Sequence, residues 1–390
     1  MKIELSPEQK KKQAEFRDFV QEVVVPQAND NDQQEFTPPE LIKSVAQAGY
    51  LGAIIPQAYG GLGLDMITFG LLNEELGRGC SSLRSLLTVH SMVAYAILKW
   101  GNKRQREDWL PRLATGEIIA AFGLSEPNVG SDAKSIETMI TQRDGIDILQ
   151  GCKKWTTYGQ IADLFLIFAQ QDGKVSAFLL ERTTPGFSAR PIRGMYGTRA
   201  SMLAELHMES CVLPKGNLIG GRGFGLIIAT SALDIGRYSV AWGSIGIAQA
   251  CLEASLQYTS KRQQFGVLLK EHQLVQQMIT NMITGVKAAR LLCYQAGYLK
   301  DIGDESTVME TWIAKYFAST TAAKIANDAV QLHGANGCSA DYAVQRYLRD
   351  AKIMEIIEGS SQIQQITIAQ YGYQTPDFAG VRGNKDEYRS

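Results

Sequence analysis

The sequence predicts an α+β protein in which a β-rich region lies between two helical regions. Apolar residues recur at helical spacing up to about residue 118 and again from about residue 229, whereas the intervening stretch has short β-rich runs between turns. This order differs from the alternating strand and helix order of a doubly wound sheet and argues against a nicotinamide-binding fold. The predicted units are an N-terminal helical domain at 1–118, a central β-barrel-like domain at 119–228, a C-terminal helical domain at 229–375 and a tail at 376–390.

Local signals support each unit. Ser6 predicts the cap of a first helix, and Thr37 followed by Pro38 predicts the start of another. The runs 163–170, 175–181 and 204–210 predict strands, because they are rich in β-branched and aromatic residues and are separated by turns. The glycine-rich stretch 220–225 lacks the spacing of a dinucleotide fingerprint and predicts a turn. One face of a later helix is predicted from Ala241, Ile245, Ala248, Leu252 and Leu256.

Composition narrows the class of protein. The 390 residues carry 39 basic and 40 acidic side chains without a long basic block, which argues against nucleic acid or an anionic membrane as a partner. The start is polar and no apolar run reaches about 18 residues, so we expect no secretory signal and no membrane span. The six cysteines are scattered and the four histidines lack metal-ligand spacing, so we expect a cytoplasmic protein with no metal site.

Glu358 draws attention because it stands directly before Gly359, where a helix is expected to end. Apolar residues at 344, 347, 351 and 354 form one helix face, and the next position on that face is Glu358. The pattern therefore directs a carboxylate towards the interior. Burial and the helix C-terminal dipole would both raise its pKa, as a general base near neutral pH requires. The alternative is a glutamate that points outward from a frayed last turn, beside the similar Glu355.

Three stretches could bind a flavin. Residues 121–133 combine small residues and hydroxyls that let the backbone approach a flat polar ring, and residues 153–159 offer Trp155 to cover a ring face. Thr157, two positions further on, is expected on the same side of a strand. Residues 260–273 offer Arg262 to neutralise a pyrophosphate. Taken singly, each stretch is also compatible with a turn, a core aromatic or a solvated basic face.

Together these stretches resemble one family. The ordered motifs GLSEPNVGSD, KWTTYG, RQQFG, QLHGANG and RDAKIMEIIEGSSQIQ resemble the acyl-CoA dehydrogenase superfamily over nearly the whole chain. The resemblance implies an N-terminal helical domain, a central β domain and a C-terminal four-helix bundle. It also implies a homotetramer, a dimer of dimers, in which FAD lies between domains and contacts a neighbouring subunit.

The resemblance also implies roles for individual residues. Glu358 matches the base that takes the substrate's α-proton, while the alternative base position of some members is occupied here by Gly236. Ser131 and Gly359 match positions beside the substrate, and Arg237 is expected either to meet the thioester arm of the substrate or to orient the site. The positions expected to bind FAD are Phe122, Leu124, Ser125, Gly130, Ser131, Trp155, Thr157, Arg262, Phe265, Gln273, Gln331, Gly334, Ser360 and Gln362. Hydride transfer to flavin N5 would accompany proton removal, with the thioester carbonyl polarised by a backbone N–H at the base.

Departures from the usual pattern, Ile357, Ser360 and Ala335, indicate a subgroup. Stretches 80–85, 236–247 and 349–361 resemble the acyl dehydrogenases of methoxymalonyl extender-unit biosynthesis in polyketide clusters; the aminomalonyl route uses similar enzymes. The expected substrate is then a short, three-carbon polar acyl unit on an acyl carrier protein, from which Glu358 removes either a C–H or an O–H proton. Ile357, Tyr238 and Trp242 are expected to shorten the pocket.

Two alternatives stay open. One is a short-chain acyl-CoA dehydrogenase of catabolism, which acts on CoA thioesters. The other is a DNA-associated member of the superfamily, for which the net charge of −1 gives no support. The expected electron acceptor is an electron-transfer flavoprotein or oxygen.

Overall fold

The N-terminal part of the chain is helical, as the sequence predicts. The structure is a computed structural model that describes residues 4–375, so the predicted tail at 376–390 lies outside the described residues. Ser6 accepts a hydrogen bond from the Gln9 backbone at 3.1 Å, and the Gln9 side chain accepts one from the Ser6 backbone at 3.0 Å. This capping box confirms the predicted helix start. The helices are α1 (Pro7–Phe19), α2 (Ala28–Gln34), α3 (Pro39–Gln47), α4 (Met66–Gly79), α5 (Ser81–Trp100) and α6 (Lys103–Thr115).

Thr37 does not cap α3, contrary to the prediction. Pro38 occupies the cap position, and no side chain bonds to the first turn there. The Thr37 hydroxyl instead lies 2.7 Å from the Ala200 carbonyl oxygen, to which it donates, and 3.0 Å from the Tyr158 hydroxyl. Thr37 is buried, so its hydroxyl needs these partners and joins the helical domain to the β domain.

The central region forms one sheet, and the predicted runs are confirmed as β4, β5 and β7. Along the sheet the strands follow the order β6-β7-β3-β2-β4-β5-β8, and β1 pairs with β4 in parallel. Strand β4 lies between two packed layers and is apolar from Leu164 to Ala169, as burial on both faces requires. The strands are β1 (Ala120–Gly123), β2 (Met139–Arg143), β3 (Ile146–Thr156), β4 (Leu164–Gln171), β5 (Lys174–Glu181), β6 (Phe187–Pro191), β7 (Ala204–Leu213) and β8 (Leu218–Ile219).

The C-terminal region is again helical. A small hairpin of β9 (Gln263–Gln264) and β10 (Val267–Leu268) separates the first two long helices, and residues 220–224 form the predicted turn before α7. The predicted face of α7 is buried, except that Leu256 is 42% exposed. The helices are α7 (Gly225–Thr259), α8 (Gln273–Asp301), α9 (Thr307–His333), α10 (Val344–Met354) and α11 (Ser361–Gln374).

Helix α7 is the central element, because α4, α5, α8 and α9 all pack against it. Glycines allow the closest approaches. A Cβ atom at Gly246 would lie 2.0 Å from the Glu74 carbonyl oxygen, and one at Gly77 would lie 2.5 Å from the Gly243 carbonyl oxygen. Backbones can approach so closely only without side chains between them. This packing brings residues of α5, α7 and α9 around one buried point.

Two further expectations can be compared with the structure. Each of the six cysteines is a free thiol. Between residues 4 and 375, no helix has both the length and the apolar character that crossing a bilayer requires.

Candidate active site

A tight turn between α10 and α11 carries Glu358. Helix α10 ends at Met354, so the helical face predicted to run on to Glu358 stops one turn early. Glu358 has φ 55° and Gly359 has φ 92°, both in the left-handed region, and Ser360 caps the start of α11. A non-glycine residue rarely adopts this conformation without a packing or functional reason. The turn, and not helical periodicity, directs the Glu358 side chain inward.

The Glu358 carboxylate faces a gap left by Gly236 of α7. Its Oε2 atom is shielded from solvent and has no hydrogen-bond partner among the described residues. A Cβ atom at Gly236 would lie 2.6 Å from that oxygen and 2.8 Å from the Met92 sulfur. The absent side chain at 236 therefore provides the space in which the carboxylate sits. A buried acceptor without a donor is costly, and such an atom is a candidate for a functional role.

Three buried cations surround this carboxylate. Burial raises the pKa of Glu358 above its usual value, and the charges of Arg237, Lys315 and Arg84 oppose that rise. Arg84 is fully buried, and its guanidinium lies 2.7 Å from the Thr88 hydroxyl. A carboxylate whose pKa is raised towards neutrality is suited to accept a proton from a weakly acidic group.

Arg237 supports the turn that carries Glu358. Its Nε donates to the Glu358 carbonyl oxygen at 3.1 Å, and its guanidinium lies 4.1 Å from the centre of the Trp312 ring. With 6% of its surface exposed, the side chain is held on both sides. These contacts favour a role in orienting Glu358, which the sequence left open beside contact with the substrate.

The first two stretches predicted to bind a flavin lie side by side. The Lys154 backbone donates to the Ser125 carbonyl oxygen at 2.8 Å, and the Lys153 ammonium donates to the Leu124 carbonyl oxygen at 3.2 Å. Phe122 lies on the adjacent strand β1, so this part of the predicted cofactor set is contiguous. Gly130 and Ser131 are exposed in the loop that follows.

Trp155 has an unusual position at the end of β3. Its φ is 64° and its side chain is 49% exposed. The strand ends at Thr156, so Thr157 belongs to the following turn. The expectation that Trp155 and Thr157 share one side of a strand is therefore wrong, because the positive φ interrupts the alternation of side chains. An exposed indole on a constrained backbone fits a flat aromatic ligand.

A buried ion pair that the sequence did not indicate fixes the loop after Ser125. The Lys153 ammonium lies 2.6 Å from a Glu126 carboxylate oxygen, and both side chains are almost fully buried. Glu126 also accepts from the backbone N–H groups of Glu137 and Thr138. Burial lowers the pKa of Lys153 to about 8, against the charge of Glu126. In the sequence both residues resemble ordinary surface charges, so only tertiary packing identifies them.

The third group of predicted cofactor residues lies elsewhere. Arg262 directly precedes the β9–β10 hairpin, Phe265 lies in its turn and is 95% exposed, and Gln273 begins α8. Tyr258 stacks on His333, with ring centres 4.2 Å apart, which brings the hairpin close to the segment of Gln331 and Gly334. A cavity of about 450 Å³ lies here, lined by residues that include Tyr258, Lys261, Arg262, His333 and Asn336.

This third group is far from Glu358. Gly236 and Tyr258 lie on one continuous helix, α7, and 22 residues at about 1.5 Å each separate them by about 33 Å. The structure therefore brings Glu358 together with Gly236, Arg237, Ser360 and Lys315, but places the hairpin residues at the other end of the bundle.

Tyr238 and Trp242 do not face Glu358. Tyr238 donates to the Met66 carbonyl oxygen at 2.7 Å, and Trp242 packs against Tyr294 with ring centres 5.2 Å apart. About 100° of rotation per residue places both side chains on the face of α7 opposite Gly236. The expectation that they shorten the pocket is wrong, because they fill the core between α7, α4 and α8.

One cluster has metal-ligand chemistry. Cys152, Glu205 and His207 on β3 and β7 place ligand atoms within 4.8 Å of one another. The sequence did not indicate this cluster, because pairing of two distant strands creates it. The Lys154 ammonium lies 3.6 Å from the Glu205 carboxylate and already supplies a cation there. We assign no metal to it.

Comparison with known proteins gives the family. Three acyl-CoA dehydrogenase models, for the N-terminal, middle and C-terminal domains, match residues 6–117, 121–211 and 221–372. The chain belongs to the acyl-CoA dehydrogenase family. The predicted fold class is confirmed, and this family member is an oxidoreductase that acts on acyl thioesters.

Individual relatives match nearly the full length of this family member. The short-chain-specific acyl-CoA dehydrogenase of Clostridium acetobutylicum is 36% identical over 375 residues, which are 95% of this chain and 99% of the relative. A Mycobacterium smegmatis glutaryl-CoA dehydrogenase solved with FADH2 is 29% identical, with a TM-score of 0.91, covering 95% of this chain and 96% of that one. FkbI, described for the methoxymalonyl extender unit of the polyketide FK520, is 33% identical, with a TM-score of 0.85, covering 94% and 100%.

Proposed function

We propose that this protein is an FAD-dependent dehydrogenase of a short acyl thioester and that Glu358 is its base. The observation that carries the proposal is the Oε2 atom of Glu358, which is buried, lacks a hydrogen-bond partner in the described structure and faces the gap at Gly236. Its raised pKa suits acceptance of a proton from the carbon or hydroxyl next to a thioester. When bound, FAD would supply an acceptor for the hydride.

The residues that would hold FAD fit a flat ring at one end and a charged group at the other. The exposed indole of Trp155 would cover the ring, with Thr157 and the backbone of Ser125 at its edge. Arg262 would neutralise the pyrophosphate. The residues around Arg262 lie at the end of the helical bundle that is about 33 Å along α7 from the gap at Gly236. This distance supports the inference that they contribute to the site of a second copy.

We propose assembly as a homotetramer, a dimer of dimers, and the division of the cofactor residues between two copies supports its dimeric unit. Phe265 is 95% exposed, and Leu274 on the following helix is 73% exposed. Large apolar side chains in such positions are typical of surfaces that a partner subunit covers. Sharing one FAD between two chains would bury them.

For the substrate, we propose a three-carbon polar acyl unit carried by an acyl carrier protein. Resemblance to FkbI over 94% of the chain supports this proposal, as do the stretches 80–85, 236–247 and 349–361. The second candidate is a short-chain acyl-CoA, which the relative from C. acetobutylicum supports at least as well. Tyr238 and Trp242 do not discriminate between the two, because they lie away from Glu358. An electron-transfer flavoprotein or oxygen would reoxidise the cofactor in either case.

Stopped-flow bleaching of the bound flavin tests both the role of Glu358 as the base and the identity of the substrate. Glu358→Gln should retain the fold and FAD but lose about 10²–10⁴-fold in the rate of flavin reduction, the range for a removed general base. Glu117→Gln is the matched control, because Glu117 is exposed, pairs with Arg112 at 2.7 Å and should keep the wild-type rate. A wild-type rate in Glu358→Gln would place the base elsewhere.

The same assay distinguishes the substrates. A glyceryl- or seryl-derived carrier-protein thioester should bleach the flavin faster than butyryl-CoA or octanoyl-CoA. If the simple acyl-CoA compounds are faster than every carrier-protein thioester, the short-chain acyl-CoA candidate replaces the carrier-protein one.

A further inference from the structure

The turn that carries the proposed base is held by two cations from different helices. Arg237 of α7 donates to the carbonyl oxygen of Glu358 at 3.1 Å, and Lys315 of α9 donates to the carbonyl oxygen of Gly359 at 2.9 Å. Carbonyl groups just beyond a helix C-terminus lack intrahelical donors and need other partners. The Gly359 carbonyl oxygen also accepts from the neutral Gln364 side chain at 3.0 Å, so this carbonyl group does not need a buried charge, whose desolvation is costly.

Lys315 is the more unusual of the two cations. Its side chain has no exposed surface, and its bond to the Gly359 carbonyl oxygen is to an uncharged acceptor. No carboxylate in the described chain comes within ion-pair distance of its ammonium, so the charge is not neutralised by direct contact. Among the charged groups that act on the pKa of Lys315, Glu358 has the largest effect, followed by Arg237 and Glu355. A buried lysine is costly, and one that only supported a turn would be replaceable by a neutral donor.

We propose that Lys315 is a positioning residue for the reaction: its ammonium fixes the Glu358–Gly359 turn, and its charge stabilises the ionised form of the Glu358 carboxylate. This inference rests on the proposed role of Glu358 as the base. Because Lys315 reaches the turn from α9 and Arg237 reaches it from α7, the position of the carboxylate depends on how these helices pack.

The charged groups that face the carboxylate come from every element around it. Arg84 comes from α5, Arg237 from α7 and Lys315 from α9, while Glu355 precedes the turn itself. Arg84 is bonded to hydroxyl groups, and Arg237 is permanently charged in the ordinary pH range. Lys315 is thus the group among these cations whose charge can change near neutral pH.

Burial lowers the pKa of Lys315 to about 7, against the charge of Glu358. As the pH rises through about 7, Lys315 loses its proton and no longer stabilises the ionised Glu358, which then becomes a stronger base. The two groups titrate as a coupled pair. The rate of flavin reduction in the wild-type protein should therefore depend on the ionisations of both Glu358 and Lys315. In a chain without a lysine at 315, the rate should depend on the ionisation of Glu358 alone.

The test compares three substitutions in the FAD-loaded full chain. Lys315→Gln keeps a donor for the Gly359 carbonyl group but removes the charge, Lys315→Met removes both, and Lys315→Arg keeps both. Lys324→Met, at an exposed lysine on the same helix, is the control. The limiting rate of flavin reduction is measured by stopped flow from pH 5.5 to 9, with butyryl-CoA as the thioester throughout.

We expect Lys315→Gln and Lys315→Met to move the acidic midpoint of the rate profile to higher pH, since the ionised carboxylate loses a neighbouring cation. At pH 6.5 their limiting rates should fall about 10–100-fold, in keeping with a base that is both displaced and protonated. Lys315→Arg should restore the wild-type midpoint, and Lys324→Met should not change it.

Unfolding gives a second measurement that does not depend on activity. The unfolded lysine keeps its proton up to its ordinary pKa, whereas the folded one loses it at about 7, so unfolding takes up a proton between these values. Lys315 should therefore make wild-type stability rise with pH above 7. In Lys315→Met the rise should be smaller but not absent, because Lys153, whose pKa burial lowers to about 8, still contributes. If Lys315→Met does not bind FAD, Lys315→Gln carries the test.

A wild-type midpoint in both neutral variants would overturn the inference, even if their rates or stabilities fell. That outcome is distinct from failure of the proposed function, in which Glu358→Gln itself would reduce the flavin at the wild-type rate.

Discussion

Replacing Gly236 with alanine should impair the proposed base without unfolding the protein. The added Cβ atom would lie 2.6 Å from Oε2 of Glu358 and 2.8 Å from the Met92 sulfur, where ordinary contacts measure 3.4–4 Å. Both neighbours are ends of side chains, so the carboxylate must move by about 1 Å. A displacement of that size at a reacting group costs about 10²-fold in rate, or about 2.7 kcal/mol in the barrier.

The cost in stability should be small, because two effects oppose each other. Alanine is favoured over glycine in a helix by about 1 kcal/mol, and local overpacking costs about 1–3 kcal/mol. We expect FAD content close to that of the wild type and a limiting flavin-reduction rate about 10²-fold lower. Gly372→Ala on α11 is the control, because a Cβ atom there meets nothing within 4 Å. An unchanged rate in a folded Gly236→Ala protein would refute this account of the site.

Two other substitutions test the cofactor and the loop beside it. Arg262→Ala should leave the fold intact, because Arg262 is exposed, but should lower the FAD retained per chain after gel filtration. A wild-type protein that is colourless and takes up no added FAD would contradict the flavin assignment. Lys153→Met should destabilise the chain by about 3–5 kcal/mol in chemical denaturation at pH 7, since it leaves Glu126 buried without its cation. Its deficit should shrink at acidic pH, where Glu126 can take up a proton; a deficit that does not change with pH would contradict the ion-pair explanation.

The order of helical and β regions was predictable because periodicity is a local property. Strand β4 could be predicted from a continuous apolar run, and the start of α1 from Ser6, since neither depends on distant residues. Thr37 was assigned wrongly for the same reason. Its partners, Ala200 and Tyr158, lie more than 100 residues away, and local rules cannot include them.

The site was predictable only in part. The position of Glu358 followed from the motif around it, but the left-handed turn that directs it inward did not follow from helical spacing. Lys315 and Arg84 are spaced like ordinary charged residues on helices, and nothing in their local sequence indicates complete burial. Their burial results from packing against α7, which only the folded chain reveals. Tyr238 and Trp242 show the opposite error. They are close to Arg237 in sequence and were expected to line the pocket, but they lie on the opposite face of the same helix.

The gap at Gly236 leads to a final prediction, that the base can be moved from one position to the other. A side chain at 236 and the carboxylate of Glu358 would occupy the same volume, since a Cβ atom at 236 lies 2.8 Å from the Glu358 carboxyl carbon. Gly236→Glu alone should therefore place two carboxylates in one space and abolish rapid flavin reduction.

Combining Gly236→Glu with Glu358→Gly removes that conflict. Glycine tolerates the φ of 55° at position 358 better than glutamate does, so the turn should persist. The new carboxylate would enter the same gap from α7 and keep Arg84 and Lys315 beside it. We expect the double variant to reduce flavin at least 10-fold faster than Glu358→Gly alone, because a positioned general base contributes about 10²–10⁴-fold and only part of that need be recovered. If the double variant is no faster than Glu358→Gly, the two positions do not share one site, and the role assigned to the gap at Gly236 is wrong.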